Sequence, residues 1–231
     1  MAIVATQLTS GADSTNGTVY TTASVSPSGG RLQVLAVYIT RSAGIPSTGT
    51  TVTGCGLTWA QITTVSNNTG SDSSRLMLFR AMGSPSAGAL TITAPEGQLR
   101  AGWSLTEFEN VETSGSDGAD AVIQSANDQN GGATLTGATI TLSAFGNAAN
   151  AAFGAIGVTA SGAVTEGSGF TELSENTVET VSQLQAEWKD AQDTTVDWSW
   201  GSASVSYVAL AIEIKFVEPP VRDNRSYAFA I

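Results

Sequence analysis

A series of motifs from the first half of the chain returns in the same order in the second half. In each half an apolar segment precedes a Gly-x-Gly-apolar-Thr turn, a polar stretch, a second strand-like segment and a long closing pair. The corresponding segments are Leu32–Gly44 and Ala152–Gly162, Gly54–Thr58 and Gly167–Thr171, Ser74–Met82 and Ser182–Asp190, and Leu90–Val111 and Val196–Val217. We predict an internal duplication with pseudo-repeats at about 32–111 and 150–217, related by a pseudo-two-fold axis.

Alternation of apolar and polar residues predicts strands in most of these segments. The runs Leu32–Ile39 and Val205–Phe216 are apolar at almost every position, which is typical of central strands covered on both faces. One segment is ambiguous, because Val181, Leu184 and Trp188 have helical spacing. Its counterpart in the first half has no helical stripe, and we therefore predict a strand whose opposite face carries Gln183, Gln185, Glu187 and Lys189.

These patterns predict an all-β protein, an antiparallel β-sandwich with an extended C-terminal arm. A chain of 231 residues can bury a sizeable core without disulfides. No long Pro- or Ser-rich linker separates the halves, so residues 18–217 are predicted to form a single sandwich. Residues 1–17 are then an N-terminal extension, and residues 218–231 are the arm, since Pro219 and Pro220 stop ladder pairing.

Charge and cysteine content exclude several classes of function. The net charge is −11 with only two lysines, and such a field repels nucleic-acid phosphates. Cys55 is the single cysteine and cannot form an internal disulfide; its counterpart is Ser168, so we predict a small turn residue. The longest wholly apolar runs have six residues, too short to span a bilayer. With no secretion signal visible, we expect synthesis in the cytoplasm and no membrane association.

The residues needed for common catalytic sites are missing or badly spaced. The sequence has no histidine, which removes Ser-His-Asp and Cys-His nucleophiles and the usual zinc sites. Glu107 and Glu109 lie on one face of a strand, about 7 Å apart, and we expect solvated edge residues. Asp117, Asp120 and Asp128 lack the ligand spacing of a calcium loop and are expected to be loop acids. We predict no enzyme activity, no cofactor and no metal site.

Two tryptophans allow two interpretations. Trp198 and Trp200 share a strand face with Val196. An exposed pair would form a platform on which a sugar ring could stack, whereas a buried pair would be the inward row of a sandwich strand. Large aromatic residues dominate such cores, and we predict the core position.

The order of several motifs resembles β-sandwich proteins found among the structural genes of tailed bacteriophages. The segments that carry the resemblance are Leu32–Val37, Gly54–Trp59, Leu76–Ala81, Gly88–Thr93, Trp103–Val111 and Ala209–Ile214. The similarity covers about residues 18–217. It implies a jelly-roll-like sandwich in a virion, as in capsid decoration, head-fibre or tail-tip proteins, and it transfers no catalytic residue.

The C-terminal arm carries the predicted partner-binding residues. Tyr227, Phe229 and Ile231 alternate along the arm, and Arg222 and Arg225 precede them. Such a segment suits addition to a sheet edge or burial in a groove of a neighbouring subunit. The predicted function is a capsid decoration or head-fibre protein that contacts the major capsid protein, other virion proteins and further copies of itself. The alternative is a carbohydrate-binding adhesin of a tail or fibre tip, which would contact a host-surface glycan.

Overall fold

The computed structural model describes residues 1–42, 44–69, 73–130, 135–159, 162–180, 182–204 and 206–218. Within these ranges the chain forms sixteen strands and one short 3-10 helix, Ser116–Ala121. No helix in the described ranges is long and apolar enough to cross a membrane. The strands are β1 (Val4–Asp13), β2 (Gly17–Thr21), β3 (Leu32–Arg41), β4 (Thr51–Gly54), β5 (Ala60–Asn67), β6 (Ser73–Ala81), β7 (Leu90–Gln98), β8 (Arg100–Glu109), β9 (Val122–Asn130), β10 (Leu135–Thr141), β11 (Ala151–Val158), β12 (Val164–Thr165), β13 (Thr171–Glu179), β14 (Ser182–Lys189), β15 (Thr195–Ser204) and β16 (Tyr207–Ile214).

The strands form four antiparallel sheets, and the strand order of the second half repeats that of the first. One five-stranded sheet has the order β1-β8-β3-β6-β5, and the other, read from its far end, has the order β9-β16-β11-β14-β13. The three-stranded sheets have the orders β2-β7-β4 and β10-β15-β12. Each strand therefore has its counterpart eight strands later in the chain. The predicted all-β, antiparallel sandwich class is confirmed.

Three apolar cores fill the spaces between the sheets, which stack as four layers. One core lies between the two sheets of the first half and contains Leu35 and Trp103. A second lies between the two sheets of the second half and contains Trp198. The central core lies between the two five-stranded sheets and contains Tyr38 and Phe153. Each half thus builds its own pair of layers, and the two pairs share the central core.

The five-stranded sheets are covered on both faces, which explains their most apolar strands. β3 is buried at every position except the last, and β11 and β16 are buried throughout. In such a strand the residues of both faces lose contact with water, so alternation gives way to a continuous apolar run. The prediction of central strands at Leu32–Ile39 and in the closing run is confirmed for the described residues; Val205 lies outside them.

Contacts across the central core follow the same repeat. β1 contacts β13, and their counterparts β9 and β5 contact each other. β8 contacts β13 and β14, and its counterpart β16 contacts β5 and β6. A two-fold axis between the halves would produce these pairs. The duplication itself and the jelly-roll likeness stay interpretations of the sequence.

Tyr38 and Gly157 show how the two halves differ where they meet. They occupy corresponding positions, since Tyr38 pairs with Leu76 on β6 and Gly157 pairs with Leu184 on β14. A Cβ atom on Gly157 would overlap the Tyr38 ring. Glycine is therefore required at position 157. At this contact between the halves, the large Tyr38 ring packs against a residue that has no side chain.

The Gly-x-Gly turns of the two halves share one backbone hydrogen bond, although their backbone angles differ: Gly54 and Cys55 have positive φ, whereas Gly167 and Ser168 do not. The Leu57 N–H donates to the Gly54 carbonyl oxygen at 3.3 Å, and the Phe170 N–H donates to the Gly167 carbonyl oxygen at 2.9 Å. Cys55 lies in the left-handed region with φ 55° and is buried. Its thiol is 3.4 Å from the Gly88 carbonyl oxygen. The prediction that Cys55 is a small turn residue is confirmed.

Two edge strands lie outside the segments that the sequence assigned to the repeat, about 32–111 and 150–217, and the first of them also lies outside the predicted sandwich, 18–217. Val4–Asp13, placed in the N-terminal extension by the sequence analysis, is β1 and pairs with β8. Val122–Asn130, from the junction between the halves, is its counterpart β9 and pairs with β16. Most side chains of both strands are small or polar, because an edge strand buries little of its surface.

Candidate interaction surface

The residues predicted to bind partners, Arg222, Arg225, Tyr227, Phe229 and Ile231, lie outside the described residues. The described chain ends at Glu218. The structure does describe the surface from which the arm begins.

Trp198 and Trp200 do not form a sugar-binding platform. Their side chains are 2% and 4% exposed and lie in the second-half core. The Trp198 indole N–H donates to Gln185 Oε1 at 2.8 Å, and the Trp200 indole N–H donates to the Leu135 carbonyl oxygen at 2.8 Å. Buried rings with satisfied N–H groups offer no face to a ligand. The core interpretation is confirmed and the platform is wrong.

Glu107 is a buried structural carboxylate, so the expectation of a solvated edge residue is wrong for it. Arg31 joins it to the partly exposed Glu109, with N–O distances of 2.8 Å to Glu107 and 2.9 Å to Glu109. Glu107 also accepts hydrogen bonds from the Ser28 N–H at 2.5 Å and from Gln33 Nε2 at 2.9 Å. Burial alone would raise the pKa of Glu107, but these hydrogen bonds outweigh it and lower the pKa. An ionised carboxylate with both oxygens engaged is poorly suited to transferring protons.

The second half has a buried carboxylate at the corresponding place. Glu213 on β16 corresponds to Glu107 on β8 and accepts hydrogen bonds from Asn150 Nδ2 and Gln124 Nε2, both at 2.6 Å. Asn150 in turn accepts a hydrogen bond from the Phe216 N–H at 2.9 Å. Sequence reasoning missed Glu213, although a lone acid inside an apolar run was a usable signal. Both carboxylates tie a central strand to a neighbouring loop or strand.

We expect Glu107→Gln to lower the free energy of unfolding by about 2 kcal/mol. The uncharged glutamine side chain cannot make the charge-assisted bond to Arg31, and its NH2 group would face N–H donors of the neighbouring residues. Glu109→Gln is the matched control. It alters the same Arg31 contact at a partly exposed position and should change stability by less than about 0.5 kcal/mol. Urea denaturation of both variants measures the difference, and equal losses would contradict the structural role of Glu107.

Two of the three acids considered as calcium ligands accept hydrogen bonds within the protein, and Asp128 lies on the strand β9, so the expectation of a loop acid is wrong for it. Asp128 Oδ2 accepts a hydrogen bond from the Tyr207 hydroxyl at 2.6 Å, and burial together with this bond raises the pKa of Tyr207. Asp120 Oδ2 accepts one from Ser114 Oγ at 3.0 Å. Asp117 lies in the 3-10 helix with φ 53°. Among the described residues, no group of three or more His, Cys, Asp or Glu side chains is placed to hold a metal ion.

Several positive charges are paired with nearby carboxylates. A further arginine, Arg75, is buried and donates from Nε to the Pro46 carbonyl oxygen at 2.7 Å. Because these cations already have partners, the acidic character of the sequence extends to the molecular surface. The ion pairs are Arg31 with Glu107 and Glu109, Arg41 with Glu96, Arg100 with Glu179, Lys189 with Asp193, and Lys215 with Glu112.

A surface cleft of about 630 Å³ lies where the described chain ends. Ile123 at the start of β9 lines it, together with Asn147, Lys215, Val217 and Glu218. Ile123 is 49% exposed and is one of the few large apolar side chains at the surface. The cleft therefore combines an accessible apolar residue with a polar rim, directly beside the point where the arm begins.

The polar rim of the cleft is held in place by hydrogen bonds. Glu112 accepts bonds from the Ser114 N–H at 3.0 Å and the Thr113 N–H at 2.9 Å, and its other oxygen is 3.3 Å from Lys215 Nζ. These contacts, led by Ser114, lower the pKa of Glu112 to about 2. Asn147 Nδ2 donates to Glu218 Oε1 at 3.1 Å. The rim therefore keeps its negative charge at neutral pH.

β9 runs away from this cleft as the outermost strand of its sheet. It pairs with β16 in continuous register from Gln124 to Asn130, and its one register shift lies at its beginning. The exposed side chains Ile123, Ser125, Asn127 and Gln129 alternate along it. The cleft and the outer edge of β9 together form the candidate interaction surface.

Comparison of the chain with protein-family models, with curated proteins and with solved structures found no match.

Proposed function

We propose that this chain is a non-enzymatic structural protein of a tailed-bacteriophage virion, most specifically a capsid decoration or head-fibre protein that docks on the shell and on neighbouring subunits. The observation that carries the proposal is the distribution of its polar and aromatic groups. Glu107, Glu213 and Trp198 tie the fold together internally. The outer edge of β9 and the cleft beside the start of the C-terminal arm are accessible to a partner.

The four-layer architecture supports this proposal. Four sheets around three packed cores form a rigid unit, since packed interiors deform little. A rigid unit with an extended arm suits repeated placement on a particle, where the arm supplies specific contacts to a neighbour. The resemblance of residues 18–217 to virion sandwich modules favours the same class. The major capsid protein and other virion proteins are the proposed partners.

Purified particles provide the test. In particles assembled from a phage genome that carries this gene, the chain should be present at many copies per virion and visible as a regular feature on the head. Quantitative mass spectrometry of banded particles measures the copy number, and cryo-electron microscopy gives the position. If the chain is absent from banded particles and remains in the host-cell fraction, the virion proposal is wrong. A position confined to the tail tip would favour the adhesin alternative.

A further inference from the structure

We infer that the outer edge of β9 accepts the C-terminal segment of a second copy of this chain, residues 225–231, as an added antiparallel strand. The inference deepens the proposed function, on which it rests, because it specifies how one proposed virion subunit would bind the next. Its physical basis is an unprotected strand edge in the described fold and a segment of matching length and pattern.

β9 differs from the other outer strands of the five-stranded sheets. β1, β5 and β13 each carry a register shift within their paired length. Such irregularities bend an edge and protect it from pairing with other chains. β9 has seven consecutive regular pairs with β16, from Gln124 to Asn130. Its one register shift lies at its beginning, between Val122 and Gln124, so β9 has the longest regular stretch of the four edges.

The side chains of β9 also leave its edge open. Charged residues and prolines commonly block exposed edges. β9 has no proline and a single charged residue, Asp128, whose carboxylate is bonded to Tyr207. The exposed residues Ser125, Asn127 and Gln129 are uncharged and short enough to lie beside a neighbouring strand. Edge pairing is therefore neither sterically nor electrostatically opposed.

The sequence of the arm suits this edge. Residues 225–231 (RSYAFAI) alternate large apolar side chains with small ones, and Tyr and Phe have high strand propensity. Seven residues in a strand extend about 23 Å, within the roughly 30 Å of nine-residue β9. Arg222 and Arg225 add positive charge to a segment that approaches an acidic molecule, which favours encounter.

An antiparallel register places the apolar end of the arm at the cleft. Pairing Arg225 with Gln129 sets Ile231 opposite Ile123, which lines the cleft. Tyr227 and Phe229 then lie opposite Asn127 and Ser125. The exposed apolar surface of Ile123 and the apolar end of the arm would be covered by the same contact, which is a direct hydrophobic gain.

A second copy fits this arrangement better than the chain's own arm. β16 is antiparallel to β9 and ends where β9 begins, since Ile214 pairs with Val122. The chain's own arm, leaving from that end, would have to run parallel to β9, and parallel pairing is slightly less stable per residue. Pro219 and Pro220 also favour an extended departure. The arm of a second copy can approach from the other end and pair antiparallel.

Disulfide trapping between two different full-length chains tests the inference. One chain carries Gln129→Cys and the other carries Arg225→Cys, residues that face each other in the proposed register at a distance suited to a disulfide. Native Cys55 is buried and does not interfere. Mixing the two chains under mild oxidation should give a disulfide-linked dimer on non-reducing gels, and neither chain alone should do so. The matched control pairs Arg225→Cys with Thr6→Cys on the shifted edge of β1 and should give no product.

Sedimentation of single variants provides an independent measurement. Ser125→Lys with Asn127→Lys adds blocking charge to the β9 edge and should weaken self-association by roughly tenfold or more, with unchanged circular dichroism. Thr6→Lys with Ser10→Lys on β1 is the control and should leave self-association unchanged. A monomeric wild-type chain, a Gln129→Cys chain that dimerises alone, or a disulfide formed within one double-cysteine chain would each overturn the inference.

The experiments test the virion proposal and the β9 inference independently. Trapping and sedimentation use purified protein and do not depend on particles. A chain that is present on virions but gives no trapped dimer would overturn the β9 inference and leave the proposed function standing. A chain that forms the trapped dimer but is absent from banded particles would overturn the virion proposal and leave the β9 inference standing.

Discussion

Gly157→Tyr should abolish folding or lower the free energy of unfolding by at least about 3 kcal/mol. It inserts an aromatic ring at a position where even a single Cβ atom would clash. A Cβ atom on Gly157 would overlap the ring of Tyr38, which is itself fully buried. The central core packs around both residues, so neither ring can turn outward. A variant that folds with wild-type stability would show that the two sheets separate easily.

The reverse substitution, Tyr38→Gly, should also be costly. It removes a fully buried aromatic side chain from the central core and leaves a cavity opposite Gly157. Aromatic-to-alanine changes in cores cost about 3–5 kcal/mol, and glycine in a strand adds to this. We expect a loss of about 5 kcal/mol, measured by urea or guanidinium denaturation.

The exchanged pair Tyr38→Gly with Gly157→Tyr provides a sharper test of the repeat. If the two positions correspond, the transplanted ring enters the space vacated by the original one, and much of the lost stability returns. We expect the double variant to be more stable than either single variant, which is a large favourable coupling. Losses that simply add would contradict the correspondence of Tyr38 and Gly157 and would weaken the duplication argument.

The strands that sequence reasoning predicted well are those in which both repeats carry the same signal. β3 and β16 are continuous apolar runs, and β15 alternates around Trp198. The ambiguity between helix and strand was resolved correctly for residues 182–189, which form the strand β14, by comparison with β6; Val181 lies outside the described residues. A repeated pattern is informative because two segments that occupy corresponding places in the fold need the same periodicity for packing.

Edge strands were harder to predict for a physical reason. β1 and β9 bury few side chains, so selection for packing leaves a weak pattern in them. β9 reads as VIQSANDQN, which has the composition of a loop. Its strand geometry comes from the ladder that β16 offers, and pairing of this kind depends on tertiary structure.

Local sequence patterns gave a wrong indication of exposure for several buried polar residues. Gln183, Gln185 and Glu187 alternate with apolar residues and thus resemble a solvated face, yet all three are buried beneath the outer three-stranded sheet. Period-two alternation indicates which residues share a face, and it does not indicate whether a further sheet covers that face. Glu107 and Glu213 were obscured in the same way.

Glu187 is the buried carboxylate with the largest expected influence on stability. It is 0% exposed, and its Oε2 accepts a hydrogen bond from the Gly167 N–H at 2.9 Å. Its other oxygen, Oε1, has no hydrogen-bond partner among the described residues, although the nearby Gln185 side chain acts to lower the pKa of Glu187. Burial raises the pKa of Glu187 to about 8; the Gly167 bond opposes this shift, and the nearby charges of Asp197 and Glu166 add to it.

Replacing Glu187 by Gln should therefore stabilise the protein, and the gain should grow with pH. Below a pH near 4.5 the carboxyl group is protonated in the folded and unfolded states, and its charge costs nothing. Between pH 4.5 and 8 the unfolded chain releases this proton while the folded protein retains it, so stability falls as pH rises, by roughly 1.4 kcal/mol per pH unit. At pH 7 the charge-related loss is about 3 kcal/mol, and it levels off above the folded-state pKa.

Chemical denaturation of the wild type and Glu187→Gln from pH 5 to pH 8.5 measures this effect. The amide keeps an oxygen for the Gly167 N–H and removes the titrating group, so the difference in unfolding free energy should widen by about 4 kcal/mol over that range. Asp190→Asn removes an exposed carboxylate just beyond the same strand and is the matched control; its curve should stay parallel to that of the wild type. If Glu187→Gln also runs parallel to the wild type, Glu187 is ionised in the folded protein, and a partner for its second oxygen must then stabilise the buried charge.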